Sequence, residues 1–218
     1  MPGQDPRTKF SSEDFPKQEQ DVPGLQNKLD PKPDCGETTY IGYGRLKDYK
    51  MLVTGGDSAI GRAAAIAYAK EGADVAINYL PAEQADAEEV QQVIESAGRK
   101  AVLIPGDIRD EQFNYDLVET AYNKLGGLDN VTIVAGHQQY RNNLKGFDTE
   151  SFTETFETNV YPIFWSVQKA IDYLKPGATI TLTSSVQGYN PSPILHDYAA
   201  SKAAIISLTK SLSEELGS

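Results

Sequence analysis

From residue 49 onward, short apolar runs alternate with helix-patterned stretches, and the first joint in that series is rich in glycine. Met51-Leu52-Val53 ends at Thr54-Gly55-Gly56, and an alanine-rich stretch over 60–71 follows, closed by Gly72. Further strands are predicted at 74–79, 101–104, 130–134 and 178–183, with helices at 81–97, 110–125 and 197–216. Pro81 opens the second helix and Gly98 stands just past its end. Phe152, Phe156, Val160, Ile163, Val167, Ile171 and Leu174 recur at helical spacing and predict one long helix. Strands separated by helices of this length pair in parallel through right-handed crossovers. The fold expected is therefore α/β: a three-layer, Rossmann-like, doubly wound parallel sheet. Ligands of such sheets lie beyond the carboxyl ends of the strands, at the point where strand order reverses.

Residues 1–45 are different in kind. Six of the twelve prolines fall at or before Pro33, among Gln, Asp, Lys and Glu, and apolar periodicity is absent. The expected division is a Pro-rich extension over 1–45 and a dinucleotide-binding and catalytic domain over 46–218. Composition alone leaves the extension as a free arm or as an arm laid on the main domain or a neighbour. Phe10, Phe15, Leu25, Tyr40 and Tyr43 are its candidate anchors. The net charge of −11 disfavours nucleic acid and anionic lipid as partners. Cys35 is the only cysteine, so no disulfide within the chain is available, and a cytoplasmic setting is expected. No apolar run approaches the roughly 20 residues of a membrane helix, and the His, Cys and carboxylate spacings suggest no metal site.

Glycines between a strand and a helix let the backbone turn sharply and approach a pyrophosphate, which the helix N-terminus then attracts. Gly55 and Gly61 fit that role in Thr54-Gly55-Gly56-Asp57-Ser58-Ala59-Ile60-Gly61-Arg62. An NAD site of this kind usually has an acidic residue at the end of the second strand, for the ribose 2′-hydroxyl. Here Asn78 stands there, which tilts the choice towards NADP, with NAD the alternative. Ser58 and Arg62 are possible phosphate contacts, Arg62 alternatively a solvated helix residue. Tyr198 and Lys202 are four residues apart and share a helix face. A lysine ammonium beside a tyrosine favours phenolate, which makes such a pair a usable acid or base near neutral pH. Tyr43 and Lys47 have the same spacing without that context. Ser184-Ser185 ends the fifth strand, and Gln187, His196 and Asp197 lie nearby as weaker candidates.

Thr54-Gly55-x-x-x-Ala59-Ile60-Gly61, Asn159, Ser185 and Tyr198-x-x-x-Lys202 together resemble the short-chain dehydrogenases/reductases. The resemblance implies hydride transfer between a nicotinamide cofactor and a carbonyl or alcohol. It implies that Tyr198 carries the proton, that Ser185 orients the substrate oxygen, and that Lys202 acts on Tyr198 and the nicotinamide ribose. Asn159 would bend its helix and anchor a water. Gly55, Asp57, Ser58, Ile60, Gly61, Asn78, Asp107, Ala135, Gly136, Tyr198 and Lys202 would bind the cofactor, Asp107 at the adenine. Asp107 has an alternative as a helix cap.

Two departures from the family pattern stand out. Ala59 replaces the middle glycine of the turn, where a methyl matters if the backbone needs a positive φ. Ile133 and Val134 stand where two asparagines are common before Ala135-Gly136. Asp30-Pro-Lys-Pro-Asp-Cys35, Ile77-Asn-Tyr-Leu-Pro81 and Pro191-Ser-Pro193 are similar to the glucose/ribitol-dehydrogenase-like, general-stress-protein branch, which includes aldehyde reductases and forms homotetramers. The family continues beyond the catalytic helix with further strands and a substrate lid. The sheet is therefore expected to lack its far edge, with Ile205, Ile206, Leu208 and Leu212 losing cover. A non-catalytic nucleotide-binding or assembly protein is the rival expectation.

Overall fold

The computed structural model describes residues 5, 7, 16–140 and 142–217. Five parallel strands form one sheet in the order β3-β2-β1-β4-β5. They are β1 (Lys50–Thr54), β2 (Asp74–Tyr79), β3 (Ala101–Pro105), β4 (Asn130–Ile133) and β5 (Thr179–Leu182). The chain moves outward from β1 to β3, then crosses back to place β4 on the other side of β1. The crevice between β1 and β4, where Thr54 pairs with Ile133, is therefore the point at which strand order reverses.

Helices α1 (Ala59–Lys70), α2 (Gln84–Ser96), α3 (Glu111–Leu125), α4 (Thr149–Asn159), α5 (Tyr161–Ala170) and α6 (His196–Leu216) cover both faces. Side chains alternate along each strand, and the core divides accordingly. Met51, Val53, Val75 and Ile77 pack with Ala65, Ile66, Val90 and Ile94 of α1 and α2. Leu52, Ala76, Val131 and Ile133 pack on the opposite face with Leu117, Val118, Ile163, Val167 and Ile205 of α3, α5 and α6. Ile133, which departs from the family's asparagine, is thus a core residue.

Three expectations need revision. The long helix expected through 152–174 is broken at Val160 (φ −116°, ψ −52°), between α4 and α5. Pro162, in the first turn of α5, has no N–H for the carbonyl four residues back, so the ladder stops and restarts there. The helix expected over 81–97 begins as a 3-10 turn, Pro81–Glu83, before α2. β5 is the edge strand, as expected, but Ile205 stays buried against the core; only Ile206, Leu208 and Leu212 are half-exposed.

Within the extension, residues 26–45 are tied to α1 and α2. Glu71, buried at the end of α1, accepts hydrogen bonds from the Tyr40 hydroxyl, the Tyr43 and Arg45 N–H groups and the Arg45 guanidinium. The Arg45 guanidinium and the Tyr40 hydroxyl hold the Glu71 carboxyl well below the usual carboxylate range. Lys70 Nζ donates to the carbonyls of Gly36, Glu37 and Tyr40. Tyr40 is thus an anchor, whereas the Tyr43 ring is exposed and only its backbone is held. Leu25 is half-buried, and its neighbour Gln26 is the buried residue of that turn. Phe10 and Phe15 lie outside the described residues.

Candidate active site

The turn after β1 is packed so closely that its glycines have no substitute. Gly55 takes φ +62°, and a Cβ there would stand 3.1 Å from Ala135 Cα, two residues past the end of β4. A Cβ on Gly56 would fall 2.5 Å from Ile77, and one on Gly61 would fall 1.9 Å from the Gly55 carbonyl oxygen. The first turn of α1 therefore sits directly on the loop that precedes it. Ser58 occupies the N-cap position without a side-chain cap, so the first-turn N–H groups of Ile60 and Gly61 keep their capacity for an anion. Ala59 takes φ +45°, so the position where the family pattern has glycine does use the left-handed region. Its N–H donates to Gln26 Oε1 of the extension at 2.6 Å.

Asp57 is buried, and its Oδ2 has no hydrogen-bond partner among the described residues. Burial pushes its carboxyl up from the ordinary value. Arg62 is neither a phosphate contact nor a solvated residue. It is 2 % exposed and ion-paired with Glu37 of the extension (2.6 Å) and Glu89 of α2 (3.0 Å).

At the end of β2, Asn78 does not turn its amide to the cleft. Its Nδ2 donates to the carbonyls of Ile104 (3.2 Å) and Gly106 (3.0 Å), tying the loop after β3 to β2. The absence of a charge at position 78 stands, but the side chain has a structural use. Nearby, burial and the neighbouring carboxylates of Asp57 and Asp86 push Glu83 up to about 6. Asp107 accepts from the backbone and guanidinium of Arg109, which also reaches Glu154 of α4. The cap of α3 is Asp110, which accepts from Phe113 N–H at 2.6 Å, so the alternative assignment of Asp107 as a helix cap fails.

Beyond β4, the Thr54 hydroxyl oxygen accepts from the N–H groups of Val134 and Ala135, tying the end of β1 to the segment after β4. Asn159, at the end of α4, is buried and fully engaged. Its Oδ1 accepts from His137 N–H (2.6 Å), and its Nδ2 donates to the His137 carbonyl (2.9 Å) and to Ser201 Oγ (3.0 Å). This one side chain fixes the loop after β4 to α6. A Cβ on Gly136 would lie 3.3 Å from Asn159 Oδ1 and 3.6 Å from Lys202 Nζ, which places these three groups together.

Lys202 is 4 % exposed, and its Nζ donates to the Thr183 carbonyl at the end of β5 (2.9 Å). Burial pushes its ammonium pKa down. The same Nζ stands 5.4 Å from the centroid of the Tyr198 ring, one helical turn away. Ser184 Oγ–H donates to the Lys202 carbonyl. Ser185 Oγ accepts from Gln187 N–H (3.2 Å) and begins the 3-10 turn Val186–Gly188. That turn presses on α6 because residue 188 has no side chain; a Cβ there would stand 3.0 Å from the Lys202 carbonyl. Gln187 accepts from Ser192 N–H and shapes this loop. Asp197 accepts from the Thr155 hydroxyl (2.7 Å), a buried brace between α4 and α6. Asn159, Tyr198 and Lys202 thus converge with Gly136 at the ends of β4 and β5, while Asp107 stands at the end of β3. Sequence reasoning passed over Gly188 and Gln26. Only Gly188 had a local signal, a glycine just after the fifth strand.

The family described as short chain dehydrogenase has a sequence model that matches residues 50–218. An uncharacterized oxidoreductase of Bacillus subtilis, YhxD, is 58% identical over 209 residues, which are 96% of this chain and 70% of the relative. General stress protein 39 of the same organism is 43% identical over 194 residues, covering 89% of this chain and 68% of the relative. Among solved structures, a short chain dehydrogenase from Burkholderia cenocepacia in complex with NADP superposes with a TM-score of 0.74 at 35% identity. That match covers 79% of this chain and 70% of the other.

Proposed function

The chain belongs to the short-chain dehydrogenase family of oxidoreductases, and from that premise we propose that it interconverts the carbonyl and alcohol forms of a small molecule with Tyr198 as acid and base. The observation that carries this reading is the placement of Lys202. A buried ammonium is held on the Thr183 carbonyl, beside Gly136 and one turn from Tyr198, at the strand ends next to the glycine turn. Burial costs a lysine solvation that one carbonyl hydrogen bond repays only in part, which supports a role for Lys202 toward the neighbouring phenol.

The residues present fit a nicotinamide dinucleotide. Side chains are excluded at positions 55, 56 and 61, which leaves bare backbone at the head of α1, and the crevice between β1 and β4 opens there. When bound, this cofactor supplies or accepts the hydride. The protein's own part is proton handling and positioning. The Tyr198 hydroxyl gives its proton to the substrate oxygen in reduction and takes it back in oxidation. The Lys202 ammonium stabilises negative charge on the Tyr198 oxygen as the proton leaves. Ser185 Oγ, half-buried at the loop beside α6, holds the substrate oxygen by a hydrogen bond. Asn159 keeps the loop after β4 and α6 in register, and a water near its turn links Lys202 to solvent. Gly55, Asp57, Ser58, Ile60, Gly61, Asp107, Ala135 and Gly136 line the cofactor's path, and Asn78 braces the loop after β3 behind them. NADP is favoured, on the uncharged Asn78 and the NADP complex of the solved neighbour. The acidic Asp57 in the glycine turn and Glu83 in the turn after β2, close enough for the Asp57 carboxylate to raise the Glu83 pKa, are the observation that favours NAD as the second reading.

The substrate class is an aldehyde, a ketone or a sugar, with aldehyde reduction the first activity to assay. We divide the chain into an extension over 1–45 and a catalytic unit over 46–218, acting in the cytoplasm. Exposed Tyr161 and Phe164 on α5, with Ile171 just past its end, support association through the long helices into a homotetramer, which light scattering reads directly. The decisive experiment for the chemistry is Tyr198→Phe. It should leave the chain able to bind the cofactor and lower turnover by at least about 100-fold, the usual contribution of a positioned acid or base. Unchanged turnover would mean that Tyr198 is a packing residue and would sink its catalytic assignment, whereas an unaltered chain that turns over no carbonyl or alcohol would leave the rival, non-catalytic reading.

A further inference from the structure

The glycine turn is completed by a side chain from outside the sheet unit. Ala59 holds φ +45°, a conformation that residues with a Cβ rarely adopt, at the point where α1 leaves the turn. What holds it is Gln26, whose Oε1 accepts the Ala59 N–H at 2.6 Å. Gln26 is 4 % exposed and is itself held from three sides. Its N–H donates to Asp86 Oδ2 (2.6 Å), the following Asn27 N–H donates to Asp86 Oδ1 (3.0 Å), and its Nε2 donates to Cys35 Sγ (3.3 Å). Asp86 is fully buried on α2. A second link runs in parallel, from Glu37 of the extension to the buried Arg62 in α1. The extension thus joins α2 to the first turn of α1 through fixed hydrogen bonds. It occupies the Ala59 N–H and leaves those of Ile60 and Gly61 at the helix head.

We propose that Gln26 is a positioning residue for the dinucleotide: by clamping the Ala59 peptide it sets the direction of the α1 N–H groups, so that cofactor affinity depends on the N-terminal extension. The inference rests on the dinucleotide-binding reading above. In that role Gln26 compensates for the methyl that Ala59 brings to a turn built on glycines. An alanine at this position holds the left-handed region because a buried acceptor outside the turn favours it.

Gln26→Leu preserves size and removes the acceptor. In the full chain, titration with NADH and NADPH followed by reduced-nicotinamide fluorescence should show binding weakened by roughly 3- to 10-fold, the effect of one lost buried hydrogen bond. Turnover at saturating cofactor should change by less than about twofold, because the interaction acts on binding alone. Amide exchange over 58–61 should quicken. Adding Ala59→Gly should bring the affinity back to within about twofold of the starting chain, since glycine takes positive φ without a clamp. Equal affinity in Gln26→Leu and the unaltered chain overturns the proposal, and so does a loss that Ala59→Gly leaves uncorrected. An unaltered chain that binds neither nucleotide refutes the dinucleotide reading itself, a result recorded before any variant is compared.

Discussion

Gly61→Ala places one methyl group where the structure has backbone on every side. The added Cβ would stand 1.9 Å from the Gly55 carbonyl oxygen, 2.7 Å from the Gly55 carbonyl carbon and 3.2 Å from Gly56 Cα. None of these atoms belongs to a side chain that can rotate away. Reaching an ordinary contact near 3.4 Å requires the first turn of α1 to withdraw from the glycine turn by roughly 1.5 Å. Behind that turn Ala65, Ile66 and Ala69 are packed against the strands without spare room, so the movement is resisted. Overpacking of this kind costs about 1–3 kcal/mol, which lowers the melting temperature by roughly 3–10 °C in a chain of this size. The same movement carries away the N–H groups of the helix head, so nicotinamide dinucleotide affinity should fall at least about tenfold.

Gly98→Ala is the control. Gly98 also has positive φ (+74°), but nothing lies within 4 Å of its added Cβ, so only backbone strain of about 1–2 kcal/mol is at stake and binding should be unchanged. Thermal melts and fluorescence titrations on the two variants separate steric displacement from strain. If Gly61→Ala melts within about 1 °C of the unaltered chain and binds NADH and NADPH normally, the close approach of α1 to the turn is not what shapes the cofactor site.

Other perturbations test the remaining parts of the site. Asn159→Ala leaves the His137 N–H and carbonyl without their partner and detaches Ser201, so urea denaturation should show about 2–4 kcal/mol lost; a loss below about 0.5 kcal/mol would mean that water replaces the side chain. For Glu83, burial and the carboxylates of Asp57 and Asp86 raise the folded pKa to about 6 from an ordinary 4.5. The folded state then holds this proton more tightly than the unfolded one, so the associated stability is present below pH 4.5 and is lost as the pH rises towards about 6. Glu83→Gln should flatten that part of the stability profile, and an unchanged slope would place the titration elsewhere. For Glu71 the sign is opposite. Its pKa is depressed, first by Arg45, so its contribution is present above the ordinary value and is lost in acid. Glu71→Gln should release residues 36–45 from α1, read as faster proteolysis within that stretch at neutral pH; unchanged cleavage would show that Lys70 alone retains it.

How much of this was legible in the sequence depends on the range over which each feature is decided. The order of strands and helices, the parallel sheet and the crevice beyond β1 follow from hydrophobic period and from handedness, which act within each segment and between successive ones. The pairing of Tyr198 with Lys202 needs only the pitch of a helix, and the glycines at 55 and 61 only the geometry of a strand turning into a helix. The break at Val160 was also written locally, in Pro162, but the apolar spacing runs on through it and hides it. The partners of buried polar groups are another matter. Asn78 presents an uncharged strand end in the sequence, yet its amide is drawn to carbonyls of a strand 26 residues on. Arg62 reads as a surface or phosphate-binding arginine until Glu37 and Glu89 arrive from two other elements. Gln26, in a segment whose composition argues for a free arm, ends as a buried acceptor for a peptide 33 residues away. A polar group taken out of water must find a partner, and nothing in its own neighbourhood specifies which. The sequence by itself determined the frame of the site and the pairing of Tyr198 with Lys202. Tertiary packing decided which polar groups serve chemistry and which hold the frame together, because that choice is made by whatever the fold brings within hydrogen-bonding distance.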